Sequence, residues 1–374
     1  MEQQRARRPR ISDVASGAGV SKSTVSIAFN NPERLSPETA ARIRAVADAL
    51  GYRPHPVARM LAQRHTSTLG ILTPQALVVA FANPFFSMFS QGVASVAEEF
   101  GYSLLFVSPL HGSLARAVGR ASVDGFVAIG LGEDHPEVEQ IRSARLPIVL
   151  VDSAAFPEHG SITVDDEAGA YAAAEHLLDL GHRDFLVLAV EPPQLGIENT
   201  LATSNLDSVS SRRLHGYRQA LGARGIELPD ERVAIGTPTL DGGAAAFDKA
   251  LDSGLRFTGV LAMSDVMAIG AIHAAEQRGL KVPDDISLVG FDDIDEAEHT
   301  RPPLTTVRQP VREKGAEAAR LLLAAVDRLD FDQPEHRRLE TRLITRGSTT
   351  SVGPRAKEVA QPIRDHREVV GPTN

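Results

Sequence analysis

The chain is expected to be an α/β protein: a small N-terminal three-helix, helix-turn-helix unit, followed by two lobes of doubly wound parallel sheet. Three observations predict this. Short helical segments with recognisable caps and glycine stops crowd the first fifty or so residues. Apolar strand-like runs alternate with helical stretches over the rest, the pattern of parallel sheets covered by helices. Charge is also divided, since residues 1–66 carry eleven Lys/Arg against five Asp/Glu, or +6, which leaves −15 of the total −9 for the remainder. A basic head on an acidic body implies that the head meets a polyanion.

The totals bound the classes. At 374 residues and 43% hydrophobic content the chain can form more than one core. It has no cysteine, which excludes disulfides and thiolate metal sites and suits a reducing cytoplasm. MEQQRARRPR is followed by no apolar core of a signal sequence, and no run of about 18 apolar residues occurs, so a cytoplasmic, nucleoid-associated protein outside the membrane is expected.

In the first helix Ser12 is the candidate N-cap, with Val14, Ala15 and Ala18 on one side and Gly19 as the stop. Ser21 caps a second helix, Lys22 to Asn30, whose Val25, Ala28 and Phe29 point inward. In the third, Ser36 caps, Pro37 fits the first helical position, Ala40, Ile43, Val46, Ala47 and Leu50 form the apolar stripe, and Gly51 ends it. This packing leaves Lys22, Ser23, Ser26 and Ile27 on the outer side of helix two, where a recognition helix meets base edges. Lys22 can donate to guanine, Ser23 is a permissive polar contact, and Ile27 offers only an apolar contact such as to a thymine methyl. A plain packing module whose basic residues are merely solvated is the alternative. Gly17 to Ser23 imitates a phosphate loop only faintly, because no strand precedes it and Ser21 replaces the second glycine.

The run ISDVASGAGVSKSTVSIAFNNPERLSPETAARIRAVADALGYRPHPVARMLAQ resembles the headpiece and hinge of the lactose-repressor (LacI) family without a gap. The resemblance implies that Lys22, Ser23 and Ile27 read bases and that Ser21, Thr24 and Ser26 contact phosphates. Many members have arginine where Ile27 stands. Pro56 to Ala62 is similar to the hinge helix, in which Leu61 would wedge between base pairs of the minor groove and Ala58 would let two such helices approach. So short a helix is expected to form only on DNA, in a dimer, and His55 replaces the usual asparagine cap.

In the body the candidate strands are Thr68 to Thr73, Ser103 to Ser108, Gly125 to Ile129, Pro147 to Asp152, Ile162 to Val164, Asp184 to Ala189, Gly259 to Met263 and Ile286 to Phe291. Helical periodicity covers Phe86 to Gly101, Glu167 to Gly181, Ser211 to Gly225, Gly242 to Ser253 and Asp265 to Gly279. Ligands of such sheets gather at the carboxyl ends of strands, which singles out Asp152, Asp265 and Asp292 as carboxylates able to accept from a ligand hydroxyl. Asp265 is equally able to cap the helix it opens. Asp292, Asp293 and Asp295 could form a solvated loop or a metal site, although no histidine partners them. Of Phe85 and Phe86, one is expected in the core and one at the cleft.

NPFFSMFSQGV, DGFVAIG, ITVDDEAGAYAAAEHLLDLGH, SSRRLHGYRQAL, SDVMAIGAIHAAEQRGLKVPDDISLVGFDDID and PPLTTVRQP resemble the same family's two-lobed, periplasmic-binding-protein-like (type I) sensor over most of residues 67–325. The resemblance implies ligand contacts from Phe85 and Phe86, from Asp152, Asp292 and Gln309, and from Arg212 or Arg213. Ser211 stands where the family arginine normally lies, Ser264 replaces a common asparagine, and the segment between Pro109 and Val123 is short, which suggests a trimmed helix.

No G-x-S-x-G, H-E-x-x-H or strand-borne G-x-G-x-x-G occurs, so no enzyme, cofactor or metal is expected. The expected division is residues 1–54 for the headpiece, 55–66 for the hinge and linker, 67–350 for the effector-binding and dimerisation domain, and a disordered tail at 351–374. Some members of the family carry a C-terminal leucine heptad that joins dimers into tetramers; this chain lacks one, so the resemblance implies a homodimer on a double-stranded operator. Its effector would be a sugar or sugar derivative, with a purine-like compound as second choice, and a solute-binding protein without DNA function is the competing class.

Overall fold

The computed structural model describes residues 9–53, 65–132, 135–153, 158–190, 208–327 and 334–353. The chain divides into two compact units, Met1–Ser67 and Thr68–Asn374.

The first unit holds α1 (Ile11–Ala18), α2 (Lys22–Asn30) and α3 (Pro37–Leu50). Val14, Ala15, Ala18, Val25, Ala28, Ile43 and Ala47 form its core, and Phe29 meets Tyr52 edge to face at 5.9 Å. Gly19 and Gly51 end α1 and α3 in the left-handed conformation, at φ 67° and 65°. The cap of α1 is Arg10 rather than Ser12: the Asp13 carboxylate reaches back to accept from the Arg10 backbone N–H at 2.8 Å, which places Ser12 inside the helix. Leu50, expected on the stripe, is exposed at the last turn. Ala58 and Leu61, with the expected hinge, lie outside the described residues.

The second unit alternates strands and helices as the sequence pattern implies. In order these are β1 (Thr68–Leu72), α4 (Leu77–Ala80), α5 (Pro84–Glu99), β2 (Ser103–Val107), α6 (Leu114–Arg120), β3 (Gly125–Ile129), α7 (Val138–Arg142), β4 (Ile148–Val151) and β5 (Gly160–Val164). They continue as α8 (Asp166–Asp179), β6 (Phe185–Val190), α9 (Val209–Ala223), β7 (Val233–Gly236), α10 (Leu240–Asp252), β8 (Gly259–Ala262), α11 (Asp265–Gln277) and β9 (Ser287–Asp292). The last are β10 (Thr305–Arg308), α12 (Val311–Asp327), β11 (His336–Leu339) and β12 (Arg342–Ile344). The short segment after Pro109 holds a seven-residue helix, α6.

Two six-stranded sheets result, ordered β11-β5-β4-β3-β1-β2 and β12-β10-β9-β8-β6-β7. All described pairings are parallel except β10 with β12. The chain passes between the lobes three times: from β5 into α8, from β10 through Gln309 and Pro310 into α12, and from β11 into β12. β7, β10, β11, β12 and α12, with the short α4 and α7, escape the sequence pattern. Helices α5 and α12 pack backbone to backbone in the first lobe, where a Cβ on Gly92 would lie 1.9 Å from the Arg312 carbonyl oxygen and one on Gly315 would lie 2.2 Å from that of Phe89. The packed chain runs past the expected tail boundary at 351, because Val352 N–H donates to the Leu180 carbonyl at 3.0 Å. Residues 354–374 lie outside the described residues.

Candidate functional site

In the first unit, Ser21 accepts from Thr24 N–H at 3.1 Å and its hydroxyl lies 2.6 Å from that of Ser23 and 2.8 Å from that of Thr24. The amino end of α2 therefore presents hydroxyls and free backbone N–H groups beside exposed Lys22 and Ser23, an arrangement suited to phosphate oxygens. Thr24, Ser26 and Ile27 are half-buried, and Ser26 Oγ accepts from Asn30 Nδ2 at 3.2 Å.

In the second unit, the strand ends of both lobes converge on one network of buried polar side chains. Asp152 follows β4 with a left-handed backbone (φ 61°), and Asp292 closes β9 at φ 124°. Such geometries cost about 1–3 kcal/mol each for a residue other than glycine and persist where the surroundings enforce them. Asp292 Oδ1 accepts from Gln309 Nε2 at 2.6 Å, and Gln309 Oε1 accepts from Lys314 Nζ. Lys314 also donates to Asp152 Oδ1 at 2.6 Å, and its ammonium stands 5.4 Å from the centre of the Phe85 ring.

Two consecutive arginines on α9 close the network from the other lobe. Arg213 Nε donates to Asp166 Oδ1 at 2.9 Å, its Nη1 donates to the Met263 carbonyl and lies 3.6 Å from Asp292 Oδ1, and its guanidinium stacks 3.6 Å over the Phe291 ring. Arg212 donates to Asp166 Oδ2 at 2.7 Å and to the Asp152 carbonyl at 3.3 Å, a bond between the lobes. Burial alone would raise the Asp166 carboxyl, but Arg213 and Arg212, with Lys314 behind them, outweigh it and hold it below the ordinary carboxylate range. For Asp292 burial wins, and its carboxyl is pushed up to about 6 against the pull of Arg213, Gln309 and Lys314.

Of the sequence candidates, Phe85, Asp152, Arg212, Arg213, Asp292 and Gln309 thus come together. Phe86 does not: it is buried among Phe81 and Phe106 at centroid distances of 5.1 and 5.9 Å, because only one face of α5 can meet Lys314, and Phe85 occupies it. Asp265 sits behind Asp292 and outside the network. Ser264, not Asp265, caps α11, and the fully buried Asp265 accepts from Ile294 N–H at 2.9 Å and Thr306 Oγ1 at 2.5 Å. A Cβ on Gly290 would lie 2.2 Å from Asp265 Oδ1, so this glycine makes room for the carboxylate. Asp265 therefore clamps the backbone just after Asp292. Asp293 and Asp295 pair with arginines, Asp293 with Arg308 and Arg346 at 2.5 and 2.8 Å and Asp295 with Arg312 at 2.6 Å.

Two members were missed in the sequence. Asp166 is the middle residue of an Asp-Asp-Glu run that reads as helix-start chemistry, and Lys314 lies in a helix that was not recognised. The signal for Lys314 was a cation three residues after Val311 and four before Ala318, both inward-facing.

Residues 10–55 match the family described as bacterial regulatory proteins, lacI family, and residues 174–349 match the periplasmic binding protein-like domain. The HTH-type transcriptional regulator CelR of Thermobifida fusca is 33% identical over 354 residues, spanning 92% of this chain and 99% of that protein. Among solved structures, a transcriptional regulator CelR-cellobiose complex aligns with TM-score 0.66 at 30% identity, covering 91% of this chain and 100% of that one. The lac repressor dimer bound to operator and the anti-inducer ONPF aligns with TM-score 0.74 at 26% identity, covering 92% and 100%.

Proposed function

Because this chain belongs to the LacI family of bacterial transcriptional regulators, we propose that it is a repressor acting in the cytoplasm, a homodimer that grips a near-palindromic operator and is switched by a small sugar-like effector held between its lobes. In this reading residues 1–54 read DNA, 55–66 form the hinge, and 67–350 bind effector and dimerise. The observation that carries it is the network joining Asp152 and Lys314 of the first lobe to Arg212, Arg213 and Asp292 of the second through Gln309 at a crossover. Carboxylates, an amide and guanidinium groups beside the Phe85 and Phe291 rings are the donors and acceptors a polyhydroxyl ligand needs. The cellobiose held by the CelR complex and the operator held by the lac repressor dimer support both halves of the reading.

The coupling follows from position. A ligand that exchanges bonds with Arg212, Asp152 and Gln309 changes how the lobes are tied, and it can shift the DNA-binding state only by binding the two arrangements unequally. Gel-shift titration against the DNA flanking its own gene, at several salt concentrations, tests the repressor half. A specific complex that weakens steeply with salt is expected, and binding indifferent to sequence would refute it.

A further inference from the structure

The charged groups of the cleft network, among the described residues, are Asp152, Asp166 and Asp292 against Arg212, Arg213 and Lys314, so negative and positive side chains are equal in number. Asp292 lies 3.6 Å from Arg213 and accepts from Gln309, whereas Asp265 behind it meets only the Ile294 N–H and the Thr306 hydroxyl, and burial pushes its carboxyl well above the ordinary carboxylate range, toward the uncharged form. The other carboxylates of the same strand end, Asp293 and Asp295, have their own arginines.

Lys314 is what completes this balance. Its side chain is 0% exposed, on a helix whose other inward residues are small or apolar, such as Val311, Gly315, Ala318 and Leu322. A lysine is tolerated so deep only when paired, and its partners are the Asp152 carboxylate and the Gln309 amide oxygen. Because Lys314 can only donate, it takes Gln309 Oε1 and turns Nε2 toward Asp292, whose Oδ1 accepts from it. One ammonium therefore neutralises a carboxylate and fixes the polarity of the amide next to it.

We infer that Lys314 sets the charge balance of the cleft and thereby restricts its effector to uncharged polyhydroxyl compounds, excluding sugar phosphates and sugar acids. This rests on the cleft being the effector site, as proposed above. An uncharged polyol exchanges hydrogen bonds with carboxylates, amide and guanidinium groups and leaves the sum of charge at zero. A phosphate or carboxylate in the same place is an uncompensated anion in a desolvated site, which disfavours its binding. Replacing Lys314 by an apolar residue leaves Asp152 unpaired and turns the preference toward a ligand that brings its own cation.

The test is calorimetry at neutral pH with matched sets: glucose, glucose 6-phosphate, glucuronate and glucosamine; ribose and ribose 5-phosphate; cellobiose and cellobionate. The full chain is expected to bind a neutral sugar at least about 100-fold tighter than its matched anion. Lys314→Met is expected to shift the glucosamine-to-glucose affinity ratio by about tenfold or more toward the cation, and Lys314→Arg to restore the ratio. Should Lys314→Met fold poorly, the Asp152→Asn, Lys314→Met double variant removes both buried charges and is expected to keep the neutral preference. A wild-type preference for any of the anions overturns the inference while leaving the cleft as effector site. A cation preference in the double variant, or an unchanged ratio in Lys314→Met, also overturns it. Failure to bind any member of the sets counts against the sugar-effector reading itself and removes the footing of this one.

Discussion

Arg213 donates to Asp166 at 2.9 Å with both side chains buried, 6% and 0% exposed, while its neighbour Arg212 shares the same carboxylate from a position 18% exposed. The two arginines therefore divide their work. Arg213 compensates Asp166 and Asp292 deep in the second lobe, and Arg212 reaches across to the first.

Arg213→Ala should destabilise the chain by about 3–5 kcal/mol, because it leaves buried carboxylates short of a partner. Arg212→Ala should cost much less stability, since Arg213 still holds Asp166, but should weaken effector binding. Urea unfolding paired with calorimetry separates the two. Equal stability losses would contradict the division.

Asp265 makes a pH prediction. Burial, reinforced by Asp292, pushes its carboxyl from 3.8 up to about 8 in spite of the bonds from Thr306 and Ile294. Below pH 3.8 folded and unfolded chains both hold the proton. As pH rises, the unfolded chain releases it first, so the folded state loses stability progressively until the pH passes about 8. Asp265→Asn can accept from Ile294 and donate to Thr306 with no proton to lose. Its urea midpoint should fall less between pH 5 and pH 8 than that of the wild type, and an identical slope would show that Asp265 is ionised when folded.

In the headpiece, Ser21→Ala removes the α2 cap and should cost about 1 kcal/mol of headpiece stability. Lys22→Ala should instead cost about 1–3 kcal/mol of specific operator affinity with little effect on stability. Thermal melts and fluorescence anisotropy distinguish them, and an unchanged preference among operator sequences in Lys22→Ala would remove it from base reading.

Leu61→Ala should lose specific operator binding while retaining effector affinity, because a wedge between base pairs gains its energy only in kinked DNA. Retention of full operator affinity would eliminate the wedge.

Much of this was legible beforehand where local rules are strong. The Ser36-Pro37 start and Gly51 stop of α3 were read from single residues whose backbone preferences leave few alternatives. The runs of β3 and β4 are buried on both faces and declare themselves by composition. By contrast, β11 (His-Arg-Arg-Leu) is polar and exists through its pairing with β5, and β12 is three residues at an edge. Helix α12 was hidden because Lys314 and Gly315 interrupt its apolar stripe. Those two residues serve needs far away in sequence, Lys314 pairing with Asp152 and Gly315 admitting the backbone of Phe89. The cleft carboxylates at Asp152 and Asp292 followed from the rule that ligands gather at strand ends. Of their cationic partners, Arg213 came only from the family resemblance and Lys314 was missed, since a buried ion pair is a fact of three dimensions.

The central claim is that the cleft and the headpiece share one equilibrium. Operator affinity of the full chain, measured by anisotropy with and without a sugar that calorimetry shows to bind, tests it most directly. A shift of about 5- to 150-fold is predicted, abolished by Asp292→Asn together with sugar binding. An operator affinity that stays constant while the cleft is saturated would contradict it.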